Sequence, residues 1–289
     1  MKKLYPFLLL FVFASIFSSC SDEEVVPGNE APPDQTIENV TISNYVNRVY
    51  VSVLGREAST SEKEDGFNLL RQNNLSLTSR SQFLDQVFSE SGYLPHLYDF
   101  ARVELLNNLD TAEITFYLFI FNLYVNDTVQ QVYWDIYHHE IERLDSLQRV
   151  PSDLANNLLD IAHLHKRCVN NYFYDQINMG SENFVISCFQ HFLNRYPTSS
   201  ELSEGKKMVE GTPAILFLES GQSKDDFIDI FFTSKDYYEG LAINLFQRFL
   251  LRNPSSIEMG NAANAFINTH DYIQMQKNIL ATNEYIGIE

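Results

Sequence analysis

Apolar residues along this chain recur at three- and four-residue spacing, and the breaks between runs carry helix-capping residues rather than hairpin turns. Ile42, Val46, Val49 and Val53 make one stripe, widened by Tyr45, Tyr50 and Leu54, and Gly55 stands where a helix ends in a left-handed cap. A second helix is expected from Ser59 to about Leu70 and a third over Ser81 to Phe88.

One corner of this pattern is written three times. FQHFLNRYPTSSE (Phe189 to Glu201) returns as FQRFLLRNPSSIE (Phe246 to Glu258) and, more loosely, over Val49 to Glu62. In each copy an apolar run ends in an arginine and a glutamate follows six places later: Arg56 and Glu62, Arg195 and Glu201, Arg252 and Glu258. Ser59, Thr198 or Ser255 stands three residues before the glutamate, the capping-box pattern of a helix start. An arginine at a helix C-terminus is favourably placed and can reach the acid that opens the next helix. The pattern therefore predicts a structural clamp rather than a ligand-binding ladder. Asn194 and Leu251 occupy the place of Gly55 in the later copies. A decayed corner is expected over Tyr93 to Glu113, with Asp110 as cap, Glu113 at the box position and Asn107 in place of the arginine.

A second motif, hydroxyl, two polar residues, aromatic, appears as Ser181 to Phe184, Ser234 to Tyr237 and Thr282 to Tyr285. Each hydroxyl can cap a helix whose first inward residue is the ring. Between the two sets of corners, Ile114 to Val125 is nearly continuous in apolar residues. Twelve residues are too few to cross a bilayer, so a fully buried helix is expected. Tyr133, Trp134 and Tyr137 add aromatic bulk to the next helix, and Pro151, Ser152 and Asp153 begin another.

These elements predict an all-α fold: helix-turn-helix units stacked as a repeat-like bundle or solenoid, because one pair cannot bury its apolar face alone. The expected organisation is a signal stretch over 1–20, a disordered acidic tether over 21–40 and a helical domain over 41–289. Within that domain the helix-pair repeats run over 41–113 and 181–289 and an inserted helical block over 114–180. A hydrophobic content of 45% with only 11 glycines and 9 prolines fits helices better than a many-turned β-sandwich. The net charge is −18 and becomes −20 without residues 1–20, which hold Lys2 and Lys3 and no acid. That balance argues against nucleic acid and against electrostatic docking to anionic lipid.

At the N-terminus, Lys2 and Lys3 precede a short apolar run and small residues, the layout of a secretory signal. Phe17-Ser18-Ser19-Cys20 resembles a bacterial lipobox, which implies acylation of Cys20 as the first residue of the mature chain and attachment to a membrane through lipid. The following Ser21-Asp22-Glu23-Glu24 resembles the acidic export signal of surface lipoproteins in Bacteroidota-type envelopes. That resemblance implies an outer-membrane protein facing the cell exterior. As a flexible coil the tether would reach roughly 25 Å. Tyr50 to Ser59 is similar to the Y-x-x-x-L-G-R-E core of the DUF4214-type helical domain of bacterial extracellular proteins, which implies a helical fold and no assigned activity.

Candidate chemistry is thin. Cys168 and Cys188 could pair in an oxidising envelope, the alternative being a free buried thiol at Cys188. His138 with Glu142, and His165 with Cys168, have helical offsets that share a face, with His139 and His163 nearby. None of the established metal or haem spacings is present, and no metal or cofactor is expected. Ser203 and Lys206 form an S-x-x-K inside a charged helix, without a nucleophile elbow, and Asp225 and Asp226 read as caps. The expectation is a non-catalytic interaction or accessory subunit of an envelope or outer-membrane protein complex. The alternative is an extracellular glycan-binding or glycan-processing accessory protein.

Overall fold

The computed structural model describes residues 35–288, and about 75% of it is helical. Cys20, the signal stretch and the tether up to residue 34 lie outside the described residues. The tether was expected to run to residue 40, but helix begins at Gln35. Pro32 and Pro33 are the last breakers in that stretch, and nothing between Gln35 and Ile42 interrupts the helix that carries the first stripe.

From Asn39 onward the chain forms one unit. Its helices are α1 (Gln35–Leu54), α2 (Thr60–Gln72), α3 (Leu77–Phe88), α4 (Tyr93–Leu106), α5 (Thr111–Tyr124), a 3-10 turn (Thr128–Tyr133), α6 (Trp134–Gln148), α7 (Val150–Ala155), α8 (Ile161–Val169), α9 (Tyr172–Ile177), α10 (Ser181–Leu193) and α11 (Ser199–Val209). A short hairpin of β1 (Ala214–Leu216) and β2 (Glu219–Gly221) follows. The chain then continues through α12 (Lys224–Thr233), α13 (Lys235–Leu250), α14 (Ser256–Thr269), α15 (Tyr272–Leu280) and α16 (Asn283–Ile286).

The all-α expectation holds. The arrangement is a bundle whose ends meet, not an open solenoid. Arg48 Nη1 donates to the Tyr285 carbonyl at 2.6 Å, Ser52 Oγ and Tyr285 Oη lie 2.9 Å apart, and Gln276 Nε2 donates to Tyr93 Oη at 2.8 Å. Arg80, buried, donates to the carbonyls of Leu75 and Ala281 and to Asn283 Oδ1, tying α3 to the last turns of the chain. A single apolar core runs through both sets of repeats and the block between them, including Leu144, Val150, Leu164 and Tyr174.

The repeat is visible in side chains as well as spacing. Four residues after each glutamate of the first two corners stand Gly66 and Gly205. A Cβ on Gly66 would meet Phe83 and Val46, and one on Gly205 would meet Phe227 and Val185. The third copy has Ala262 at that place. The hairpin was not anticipated. β1 and β2 are antiparallel in the register Ala214↔Gly221, Ile215↔Ser220, Leu216↔Glu219. The two-residue loop is Phe217-Leu218, both at positive φ (51° and 71°), as a primed turn demands.

Gly55, Asn194 and Leu251 share the left-handed conformation, with φ of 69°, 52° and 56°. A leucine pays a Cβ-carbonyl clash there, and Leu251 is 89% exposed, so packing returns little. Leu251→Gly is expected to stabilise the protein by about 0.5–1 kcal/mol, less than the full left-handed penalty because glycine also frees the unfolded chain. A rise in thermal midpoint checks it.

Candidate functional site

The three predicted clamps all form. Arg56 Nη2 meets Glu62 Oε1 at 2.7 Å and its Nη1 meets Oε2 at 2.8 Å; Arg195 and Glu201 repeat both distances. Arg252 and Glu258 are joined at 2.7 and 3.0 Å. Each glutamate Oε2 also accepts the backbone N–H of Ser59, Thr198 or Ser255 at 2.7 Å, and each hydroxyl accepts the N–H of its glutamate. The guanidinium lies over the ring six residues earlier, Tyr50 at 5.3 Å, Phe189 at 5.0 Å and Phe246 at 5.2 Å. One unit thus joins a helix end, a capped helix start and an aromatic ring.

Two corners reach further than the spacing indicated. Arg195 also binds Asp236 at 2.8 Å, and Arg252 binds Glu284 at 2.6 and 2.7 Å. Asp236 and Glu284 are the acids inside Ser234–Tyr237 and Thr282–Tyr285, so the two motifs interlock. Ser234 and Thr282 cap their helices as expected. Ser181 does not. Gly180 holds the cap position of α10, and Ser181 is a helical residue whose hydroxyl donates to Glu210. The three rings, Phe184, Tyr237 and Tyr285, are all buried. In the decayed corner Asp110 caps α5 but Glu113 closes no box. Arg102, five residues before Asn107, takes over by donating to the carbonyls of Asn108 and Leu109.

The bidentate arginine, seconded by the cap N–H and hydroxyl, holds Glu62, Glu201 and Glu258 at a pKa of about 2. A depressed carboxylate pKa means the clamps contribute fully above the unfolded value of about 4.3 and are lost as pH falls toward 2. Arg195→Ala is expected to cost about 1 kcal/mol at neutral pH, the half-exposed position allowing solvent screening. The deficit should shrink below pH 3, where Glu201 is protonating in the wild type as well. Thermal midpoints of both proteins at pH 7 and pH 2.5 check it. Loss of a binding activity at unchanged midpoint would show that the arginine serves a ligand instead.

The histidine and cysteine candidates are not brought together. His138, His139 and Glu142 are exposed on α6. His139 and Glu142 border a polar cleft of about 460 Å³ in which Arg143 pairs with Asp225 and Lys166 with Asp229. His163 Nδ1 is 2.7 Å from Asp160, the cap of α8. His165 instead points inward, its Nδ1 2.8 Å from the buried Tyr237 hydroxyl, and burial pushes its pKa down to about 3. Among the described residues no group of three or more His, Cys, Asp or Glu is placed to hold a metal. Cys168 and Cys188 do not pair; both are free and buried, with thiols pushed up to about 12 by desolvation. Tyr174, from the helix between them, interacts with the Cys188 thiol and sets its hydroxyl 3.1 Å from His191 Nδ1. Ser203 is exposed, Lys206 is paired with Glu182, and neither borders a cleft described here. Asp226 accepts the N–H of Gln222 just before α12, whose cap is Ser223; Asp225 bonds Arg143 and Asn170.

The largest departure from expectation is α5. Its inner side, Ile114, Tyr117 and Phe121, packs on Tyr137, Tyr172 and Phe173. Its outer side is largely uncovered: Phe116, Phe119 and Leu123 are 55%, 59% and 51% exposed, with Phe116 meeting only its neighbour Tyr117 ring to ring. The helix is apolar on its inner and outer sides but covered only on the inner one. Past its end, Val129, Val132, Tyr133 and Ile136 are exposed as well. Contiguous exposed apolar surface of this kind marks an interaction site.

No match to a known protein decides between partners. No family model, no curated protein and no solved structure matches the chain. No described helix is long and apolar enough to cross a membrane.

Proposed function

We propose that this is a lipid-anchored outer-membrane protein, displayed on the cell exterior, that serves as a non-catalytic subunit of an envelope protein complex and docks through the outer face of α5. The lipobox-like Phe17–Cys20, the acidic Ser21–Glu24 and the similarity of Tyr50–Ser59 to DUF4214-type extracellular domains support the location. The exposed Phe116, Phe119 and Leu123 stripe carries the docking role.

The chemistry of its surroundings favours a protein over lipid as the occupant. Residues 111–142 contain five carboxylates and neither lysine nor arginine. Helices that lie in a bilayer interface carry several basic residues on their polar face, whereas the first arginine after α5, Arg143, is already paired with Glu140 and Asp225. The fitting partner presents an apolar groove edged with basic side chains, which takes a helix by its i, i+3, i+7 anchors.

The test is purification of the anchored protein from membranes after cross-linking, for the wild type and for Phe119→Glu/Leu123→Glu. Both side chains are exposed, so the thermal midpoint should not move. A basic-rimmed envelope protein captured by the wild type and lost from the variant supports the reading. Equal capture by both, or co-sedimentation of the soluble domain with lipid vesicles, overturns it.

A further inference from the structure

A second site shares no residue with the docking face of α5. A cleft of about 500 Å³ opens between α4, α10 and α13, with contributions from α8 and Tyr272. Ala101, Leu105, Leu241 and Leu245, all buried, form the apolar part of its lining. A concave volume of this size, apolar with a few polar groups, is typical of a small-ligand site.

The polar group that decides the chemistry is Arg248. Its guanidinium lies 4.1 Å from the centre of the Phe100 ring, and its Nη2 donates to the Ser52 carbonyl at 2.9 Å and to His96 Nε2 at 3.2 Å. A guanidinium only donates, so His96 is the acceptor and is neutral, as burial and the adjacent positive charge also favour. The first corner makes room for that imidazole. A Cβ on Gly55 would lie 2.4 Å from His96 Nδ1, so a glycine is required there on spatial grounds as well as for its positive φ.

Helices α1 and α4 thus fix a guanidinium carried on α13 before any ligand arrives. Both N–H groups of Nη2 are used in doing so. Among the described residues the N–H groups of Nε and Nη1 meet no acceptor, and no carboxylate stands within ion-pair distance of Arg248. A half-buried, pre-positioned guanidinium with unused donors on the wall of a cleft is a receptor for an anion.

The rest of the lining sets the character of that anion. His165 and His191 also border the cleft, and both are neutral. Burial pushes His165 down to about 3 and lowers His191, against the smaller opposing pull of Glu104. Arg248 is therefore the single cation on the lining, and Glu104 is its single acid. A phosphate would give up its hydration to one guanidinium set among amides and apolar side chains, at a large desolvation cost. A single negative charge on an apolar body suffers least.

We propose that this cleft binds a small apolar monocarboxylate, its carboxylate on the free N–H groups of Arg248 and its hydrocarbon against the leucines. A free alkyl acid and an acylated apolar amino acid share this chemistry.

Calorimetric titration of the full chain with hexanoate, N-acetyl-L-leucine, hexanamide and inorganic phosphate tests this. Hexanoate is expected to bind. Hexanamide, with the same hydrocarbon and no charge, should bind at least about tenfold more weakly, the factor expected when a hydrogen bond to a charged group is lost. Tighter binding of hexanoate than of N-acetyl-L-leucine supports the proposal with an alkyl acid as the source, and the reverse order supports it with an amino-acid derivative. Arg248→Gln should abolish the preference for hexanoate over hexanamide, with the thermal midpoint measured alongside because Arg248 also holds the end of α1. Glu104→Gln, an exposed change, removes a like charge and should leave hexanoate binding as tight or tighter. No binding of hexanoate at millimolar concentration, equal binding of hexanamide, a preference for phosphate, or weaker binding of hexanoate by the Glu104→Gln protein would each overturn the proposal.

Discussion

Replacing Phe231 by alanine is expected to lower stability by about 3–5 kcal/mol, the usual cost of removing a fully buried ring. Phe231 is wholly buried and lies within ring-contact distance of five phenylalanines: Phe189 at 5.3 Å, Phe227 at 5.6 Å, Phe232 at 5.3 Å, Phe217 at 6.0 Å and Phe192 at 6.3 Å. These rings come from α10, the hairpin tip and α12, so one side chain joins three elements. Edge-to-face geometry adds about 0.5–1.5 kcal/mol per pair beyond area, and truncation forfeits several such pairs at once. In a domain of this size each kcal/mol moves the thermal midpoint by about 2–4 °C, so a fall of roughly 10–15 °C should be seen. Phe231→Leu should recover more than half of the loss by filling much of the cavity. Phe119→Ala, an equally large ring on the outer face of α5, should change stability by no more than about 0.5 kcal/mol. If the two phenylalanines behaved alike, the assignment of inner and outer surfaces would be wrong.

The corners were legible because their physics is local. Thr198 and Glu201 satisfy each other's backbone donors within four residues, and Arg195 is covalently close to both, so no knowledge of the remaining chain is needed to place them. The same holds for Ser234 and Tyr237. Ser181 fails the pattern because Gly180, at φ 90°, precedes it and lets the helix begin one residue earlier in register. The extra partners Asp236 and Glu284 are 41 and 32 residues from their arginines, and only tertiary packing reveals them.

What the pattern missed has the same explanation. An apolar run such as Ile114 to Val125 states that burial is favourable without stating what will cover it. Full enclosure was expected, whereas the chain covers only one side. The hairpin was invisible because Phe217-Leu218 takes the place of the Asn-Gly or Gly-rich pair that announces a primed turn; contact of Phe217 with Phe189 and Phe231 offsets the backbone strain. A cleft of about 500 Å³ gathers Phe100, Glu104, His191 and Arg248 from α4, α10 and α13, far apart in sequence, and no spacing rule links them. Its one local trace is Arg248 itself, an arginine in the last turn of an apolar helix with no acid following at the corner interval.

Gly240→Ala is expected to destabilise the protein by about 3 kcal/mol, against the helix preference that would by itself make alanine better by about 1 kcal/mol. Gly240 sits in α13 where that helix crosses the end of α10. A Cβ built there would lie 1.9 Å from the Phe192 carbonyl oxygen and 2.9 Å from its carbon. Both are backbone atoms, so no rotamer change relieves the contact and the helices must part by roughly 1 Å. Asn244 lies one turn further along the same face, bonded to the His191 carbonyl and to Asn194 across the junction. Separation would therefore strain the wall of the cleft as well as the core beneath it. Gly260→Ala is the matched control: it too lies inside a helix, and its Cβ would meet nothing within 4 Å. Propensity alone governs that site, and a gain of about 0.5–1 kcal/mol is expected. Opposite signs for the two substitutions in denaturant unfolding would establish the close crossing of α10 and α13. A gain at both would mean that the helices stand further apart than the close crossing requires.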